Sequence, residues 1–248
     1  MTQFLKHQLY DILNRPGRLW LVDANLSGAN LREVSLVGAN LTEAQLSGAN
    51  LENADLSGAD LKEALLRETK MKGTTLVGAN FRWALLKRTD FFQANMENAN
   101  FQDAEMKDAI FLEAILKGAN LHKAHCQKTM FEKASMPGAD CSEALMEGAF
   151  FKEATLDGAV FSKAGLCNTD FRNASLVGAS CEEADFCDAD LREADLRRAN
   201  LRGANFQGAI LQNANLEGAD LTDADLRNAI LYEANLKGAT MPDGSKHE

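Results

Sequence analysis

The chain has 248 residues, 46% of them hydrophobic and 25% charged, a composition that excludes wholesale disorder. Its formal net charge of −10 disfavours a protein that grips nucleic acid by neutralising phosphates. No apolar run approaches the roughly 18 residues of a membrane helix, and four histidines and five cysteines leave few ways to build a catalytic or metal centre.

In chain order, residues 1–20 read as an N-terminal cap. The apolar residues between Phe4 and Leu13 have helical spacing, which predicts a short helix over residues 4–14, ended by Pro16-Gly17. Charged residues interrupt this stretch, so it lacks the apolar region of a signal peptide, and the expected location is the cytoplasm.

Residues 21–241 are a five-residue repeat. From Leu26 to Met241 every fifth residue is Leu, Phe, Met or Cys: 44 positions holding 25, 10, 6 and 3 of these respectively. Two residues before each stands Ala, replaced only by Val34, Thr69, Thr74, Thr89, Thr129 and Thr169. The residue between the two columns is mostly Asn or Asp. A period of five fits neither the i, i+3, i+4 stripe of an α-helix nor uninterrupted strand alternation. It fits a short extended piece followed by a corner, with Ala and Leu pointing in and the polar residue between them pointing out.

The number of sides per coil is also legible. Gly38, Gly58, Gly78, Gly118, Gly138, Gly158, Gly178, Gly218 and Gly238 share one phase of a 20-residue period, as do Phe91, Phe111, Phe131, Phe151 and Phe171. A 15-residue period would scatter the glycines over three phases. Four pentapeptides per coil put residues 20 apart directly over one another at the strand spacing of about 4.8 Å. About eleven coils then make a rod roughly 50 Å long. The Phe phase predicts an aromatic stack along one interior side, with Thr tolerated beside it where the larger ring shifts the corner.

The Ala-[Asn/Asp]-[Leu/Phe]-x-x unit resembles that of the pentapeptide-repeat proteins. The resemblance covers about residues 21–241 and implies an all-β fold, a right-handed quadrilateral parallel β-helix. Residues 242–248 complete the chain as a turn, Met241-Pro242-Asp243-Gly244, and a tail. This ending is similar to that of several cyanobacterial members of the family.

Most apparent motifs are by-products of the repeat. Cys126, Cys141 and Cys181 take central positions and read as buried small hydrophobes. Cys167 and Cys187 follow central residues and point outward in adjacent coils, a redox pair within disulfide reach. In a reducing cytoplasm they are expected as two free thiols, with a disulfide formed on oxidation as the alternative. His122, His125 and Cys126 form the best metal candidate, but Cys126 faces inward and no fourth ligand stands at a suitable spacing. No metal site, no cofactor and no nucleophile–base set is therefore expected, and the chain reads as a non-enzyme.

Outward apolar residues carry the functional signal. Phe92 and Leu112 stack on each other, and Ile110, Met130 and Phe150 stack beside them, which predicts one contiguous apolar patch on a flat wall. Leu65, Leu85 and Trp83 form a second cluster, and Ile210, Ile230 and Tyr232 a third. The charges also fall in phase. Asp23, Glu43, Glu63, Asp103, Glu143, Glu183, Asp223 and Asp243 line an acidic edge, interrupted by Lys123 and Lys163. Arg192, Arg197, Arg198 and Arg202 form a basic cluster.

Three readings follow. The first is a non-enzymatic rod that binds a protein partner, or itself as a homodimer, through the apolar wall, without membrane or direct nucleic-acid contact. Resemblance to cyanobacterial members implies a regulatory role, as in cell differentiation. The second, also implied by the family, is an acidic DNA mimic that binds a type II topoisomerase such as gyrase. The third is a passive structural scaffold.

Overall fold

The computed structural model describes residues 17–248. The helix expected over residues 4–14, and most of the N-terminal cap with it, lies outside the described residues.

Each pentapeptide forms one side of a coil. From Trp20 to Asp220, every fifth residue makes a parallel bridge to the residue 20 positions later. Leu21 N donates to Asn40 O at 2.7 Å, and Gln45 N donates to Ala24 O at 2.9 Å. The same register recurs without a slip, so the four-pentapeptide coil is realised as a parallel β-helix. Pairing already begins at Trp20, inside the stretch expected as cap. The extended pieces are shorter than the repeat suggested, with only one bridged residue on each side. Two of every five residues are spent on the corner, and the alanine closes it, as where Ala24 N donates to Leu21 O at 3.1 Å.

The corners have one backbone geometry. The third residue of each turn, at every fifth position from Asp23 to Gly238, has φ between +51° and +73°. The second residue does not, which is the type II pattern. Glycine adopts this conformation without penalty. It fills many of these sites, but Glu, Lys, Asp, Asn, Arg, Gln93 and Trp83 hold the others. The glycine phase therefore marks one corner column and is not a separate requirement.

The Asn or Asp before each central residue does more than face water. The ladder leaves the N–H of the first corner residue without a backbone acceptor, and the side-chain Oδ1 two residues back takes it. Examples are His122 N to Asn120 (2.9 Å), Ser57 N to Asp55 (2.9 Å) and Thr222 N to Asp220 (3.0 Å).

The interior is filled by apolar side chains. Central residues from Leu21 to Leu221 and nearly all the alanines are buried. The predicted stack is present, with ring centroids 4.8 Å apart for Phe91–Phe111, 5.0 Å for Phe111–Phe131, 4.9 Å for Phe131–Phe151 and 4.7 Å for Phe151–Phe171. The opposite side adds Phe81, Phe101 and Phe161, which meet it edge-on, as in Phe101–Phe111 at 5.9 Å and 86°. This interlock went unnoticed in the sequence. The same register places small Cys141 in the opposite column between Leu121 and Phe161.

The threonines are explained by hydrogen bonding and not by ring size. Thr69, Thr89 and Thr129 donate to carbonyls of the preceding coil, Leu46 O (2.8 Å), Leu66 O (2.5 Å) and Met106 O (2.9 Å). Thr74 and Thr169 donate within their own turns, to Met71 O (2.7 Å) and Leu166 O (2.5 Å).

At the far end the tail is not loose. Gly244 N closes the predicted turn on Met241 O at 2.9 Å, and Asp243 Oδ1 accepts from Ser245 N and Oγ at 2.9 and 2.6 Å. The chain then runs back, with an antiparallel Thr240–Lys246 bridge and a bond from Gly238 N to His247 O at 2.8 Å.

Candidate partner-binding site

Ile110, Met130 and Phe150 stand one over the other as consecutive bridging residues. Each precedes an interior phenylalanine, so their backbone is held from both sides. Phe111 N donates to Met130 O at 2.7 Å, and Met130 N donates to Ala109 O at 3.0 Å. Met130 and Phe150 are exposed at 41% and 38%. Phe92, Ile110 and Leu112 are half-buried, so the apolar surface is shallower than expected at its lower edge.

These residues carry a structural cost. Ile110, Met130 and Phe150 occupy the position where Asn or Asp elsewhere caps the corner N–H. The N–H groups of Leu112, Glu132 and Lys152 therefore lack that side-chain acceptor. Glu132 continues the Phe92–Leu112 column, and its Oε2 is buried without a hydrogen-bond partner.

Ion pairs frame the wall. Below it, Lys72 Nζ lies 3.3 Å from Asp90 and 5.9 Å from the Phe92 ring centre. Above it, the Arg172 guanidinium binds both oxygens of Asp170, at 2.8 and 2.6 Å, and reaches Asp190 at 3.6 Å. The column then turns apolar again at Ile210 and Ile230. Ile210 is half-buried, while Ile230 and Tyr232 are exposed.

The second cluster fares differently. Leu65 and Leu85 are bridged and half-buried. Trp83 sits at a corner with φ +61°, and cations cover its ring, with Arg82 at 4.0 Å and Lys62 at 4.8 Å from the centre. It is not a free apolar anchor. Five exposed apolar residues were missed: Trp20, Val22 and Val37 in the first coils, and Ile115 and Leu145. Leu145 extends the Leu65–Leu85 column by 20-residue steps, a signal already in the repeat. Ile115 lies just past the Leu112 corner, in a column otherwise polar in neighbouring coils.

The charged features are largely paired. Lys123 and Lys163 reach Glu143 and Glu183 at 3.4 and 3.6 Å along the acidic edge. Arg192 and Arg197 each fork onto the aspartate two residues back, with closest contacts of 2.5 and 2.6 Å, and Arg202 reaches Asp220 at 3.5 Å. The hydrogen bond from Arg197 holds the Asp195 carboxyl below its ordinary value.

The histidine motif does not converge. His125 is exposed on a wall, His122 Nδ1 lies 2.8 Å from Ser142 Oγ, and Cys126 is fully buried. Burial pushes the Cys126 and Cys141 thiols well up, and that of Cys181 to about 12. The expectation of two free outer thiols is corrected, because Cys167 and Cys187 are joined as a disulfide across adjacent coils. Coil stacking alone sets their Cα atoms 4.6 Å apart, within the range that a disulfide spans. Among the described residues no helix is long and apolar enough to cross a membrane.

Comparison with known proteins bears on the fold and the family. A profile described as pentapeptide repeats matches in eight copies, over residues 21–58, 44–82, 76–112, 84–122, 99–138, 134–173, 166–203 and 199–238. No curated protein matches the chain. Among solved structures, it is similar to HetL, a pentapeptide repeat protein involved in heterocyst differentiation regulation from the cyanobacterium Nostoc sp. strain PCC 7120. The identity is 28%, all of both chains is covered, and the TM-score is 0.59. Full-length QnrB1, a plasmid-mediated fluoroquinolone resistance protein, is 21% identical over 79% of this chain and 90% of its own, with a TM-score of 0.43. Rfr23 from the cyanobacterium Cyanothece 51142 is 26% identical over 53% of this chain and 86% of its own, with a TM-score of 0.26. The 20-residue ladder and the repeated profile match lead to one conclusion: the chain belongs to the pentapeptide-repeat family, whose fold is a right-handed β-helix.

Proposed function

We propose that this chain is a non-enzymatic interaction rod that binds a protein partner, or a second copy of itself, through the wall of Ile110, Met130 and Phe150, with Phe92 and Leu112 beside it. One observation carries the reading. Apolar side chains replace corner-capping Asn or Asp in three successive coils, giving up a stabilising hydrogen bond to expose hydrophobic surface. The wall is held on both sides by backbone bonds, so binding there costs little ordering entropy. Similarity to HetL along the whole chain supports a regulatory role exerted by contact.

The acidic edge lends less support to duplex mimicry, because Lys123 and Lys163 neutralise neighbouring glutamates. A supercoiling assay with purified gyrase addresses that reading directly. The wall is tested by Ile110→Lys combined with Phe150→Lys. Both side chains point outward, so the variant is expected to keep its circular-dichroism spectrum and to lose self-association by sedimentation or recovery of its partner by affinity purification. An assembly state and partner recovery equal to the parent protein would reject the wall.

A further inference from the structure

The corner that holds Cys167 and Cys187 carries more than a covalent clip. Asp185 Oδ2 lies 3.1 Å from Cys167 Sγ, and the two sulfurs and this carboxylate all lie within 4.8 Å of one another. Asp185 is held in place from its other oxygen. Oδ1 accepts from Cys187 N at 3.2 Å and from Asn205 Nδ2 at 2.8 Å. All three residues are half-buried and within reach of solvent.

A second observation lies next to them. Gly165 bridges Asp185 from the coil below. It stands at a bridging position and lacks the left-handed φ of the corner glycines, so the backbone does not require glycine there. A glycine inside a strand often marks close approach by another group. Here that group is Glu147: a Cβ at position 165 would lie 2.8 Å from Glu147 Oε1. Glu147 Oε2 is buried and has no hydrogen-bond partner. Glu147 also precedes Cys167 and Cys187 in the same 20-residue column. The missing side chain thus leaves room for the Glu147 carboxylate against the Gly165 backbone, beside the coil that carries Asp185.

We infer that the reduced form of this corner binds one thiophilic divalent cation, of the Zn²⁺ or Cd²⁺ class, through Cys167, Cys187 and Asp185, with a solvent oxygen as the fourth donor. Two thiolates with oxygen donors suit a tetrahedral d¹⁰ ion, for which metal–sulfur bonds are about 2.3 Å and metal–oxygen bonds about 2.0–2.2 Å. The disulfide is the closed state of the site. A dithiol reductant supplies two electrons and two protons, the S–S bond breaks, and two S–H groups form while the reductant becomes its own disulfide. The cation then displaces both protons and bonds to the two sulfurs. A disulfide oxidant takes two electrons from the two thiolates and two protons from solvent, becomes its own dithiol, and returns the corner to the disulfide with release of the ion. Metal occupancy would therefore follow the thiol–disulfide poise of the surroundings.

The test titrates Cd²⁺ into the full chain, first oxidised and then reduced and freed of reductant under anaerobic conditions. The readout is the ultraviolet thiolate-to-cadmium charge-transfer band together with calorimetric stoichiometry. The reduced protein is expected to bind one Cd²⁺ per chain with the band present, and the oxidised protein to show none. Cys126, Cys141 and Cys181 are fully buried and contribute nothing. Cys187→Ser should abolish the one-to-one band, and Asp185→Asn should weaken binding by on the order of tenfold or more. No band in the reduced protein, an equal band in the oxidised one, or an unchanged titration in Cys187→Ser would overturn the site. The oxidised–reduced comparison uses a single unmutated chain, so the result does not depend on any variant folding.

Discussion

Single side chains set what this interior tolerates. Phe131 is fully buried between Phe111 and Phe151, at 5.0 and 4.9 Å. Phe131→Ala should cost about 3–5 kcal/mol, measured as a shift of the urea midpoint. Thr129 is a milder case. Its hydroxyl donates to Met106 O, which also accepts from Ala109 N at 2.9 Å. Thr129→Val leaves that carbonyl satisfied and should cost only about 1 kcal/mol. Glu132 points the other way, since its buried Oε2 has no partner. Glu132→Met is expected to raise the melting temperature, corresponding to a gain of about 1 kcal/mol. A loss of stability there would show that the carboxylate is used.

The corner is the unit that repeats, and its demand is conformational. Gly178 has φ +65° and nothing within 4 Å of where a Cβ would stand. Any penalty at this site comes from the backbone and not from a clash. Gly178→Val should destabilise by about 1–2 kcal/mol, whereas Gly178→Asn should lose only a fraction of that; equal losses in the two variants would place the cost elsewhere. The sequence disclosed that a turn occupies two residues in five, because glycine and small polar residues cluster there. It did not disclose that the third turn residue is left-handed at every corner, because Glu33, Lys133 and Arg198 adopt that conformation under the constraint of the ladders above and below. The role of the Asn/Asp column was likewise hidden. Its Oδ1-to-N–H bond depends on the corner geometry that it helps to stabilise.

Across the whole rod, the charges act mainly on one another. Asp195, Asp220 and Asp225 have carboxyls held below the ordinary 3.8 by hydrogen bonds from Arg197, Thr222 and Arg227 respectively. Near and below that value the unfolded chain binds more protons than the folded one. Their contribution is therefore complete above the unfolded carboxyl value and is lost as pH falls through the depressed folded values. The urea midpoint should hold from about pH 7 to pH 5 and drop between about pH 4 and pH 2. A midpoint that rose on acidification would contradict the assigned pairs. These pairs also bear on recognition. Arg192 and Arg197 are committed to their own aspartates and Arg202 to Asp220, so three of the four arginines of the basic cluster are already engaged.

What the linear order of residues determined was the period, the coil of four units, the inward and outward faces, and hence the vertical stacks of Phe91 to Phe171 and of Ile110, Met130 and Phe150. In a solenoid, spatial neighbours lie at one constant sequence separation, so a strict repeat is already a contact map. Only the tertiary structure decided how adjacent columns meet: the edge-on contact of Phe101 with Phe111, the cations over Trp83, the returning tail, and the Asp185 carboxylate beside the paired sulfurs. Those outcomes depend on rotamers, on the left-handed corners and on packing between different sides of the coil, none of which a count of twenty along the chain can specify.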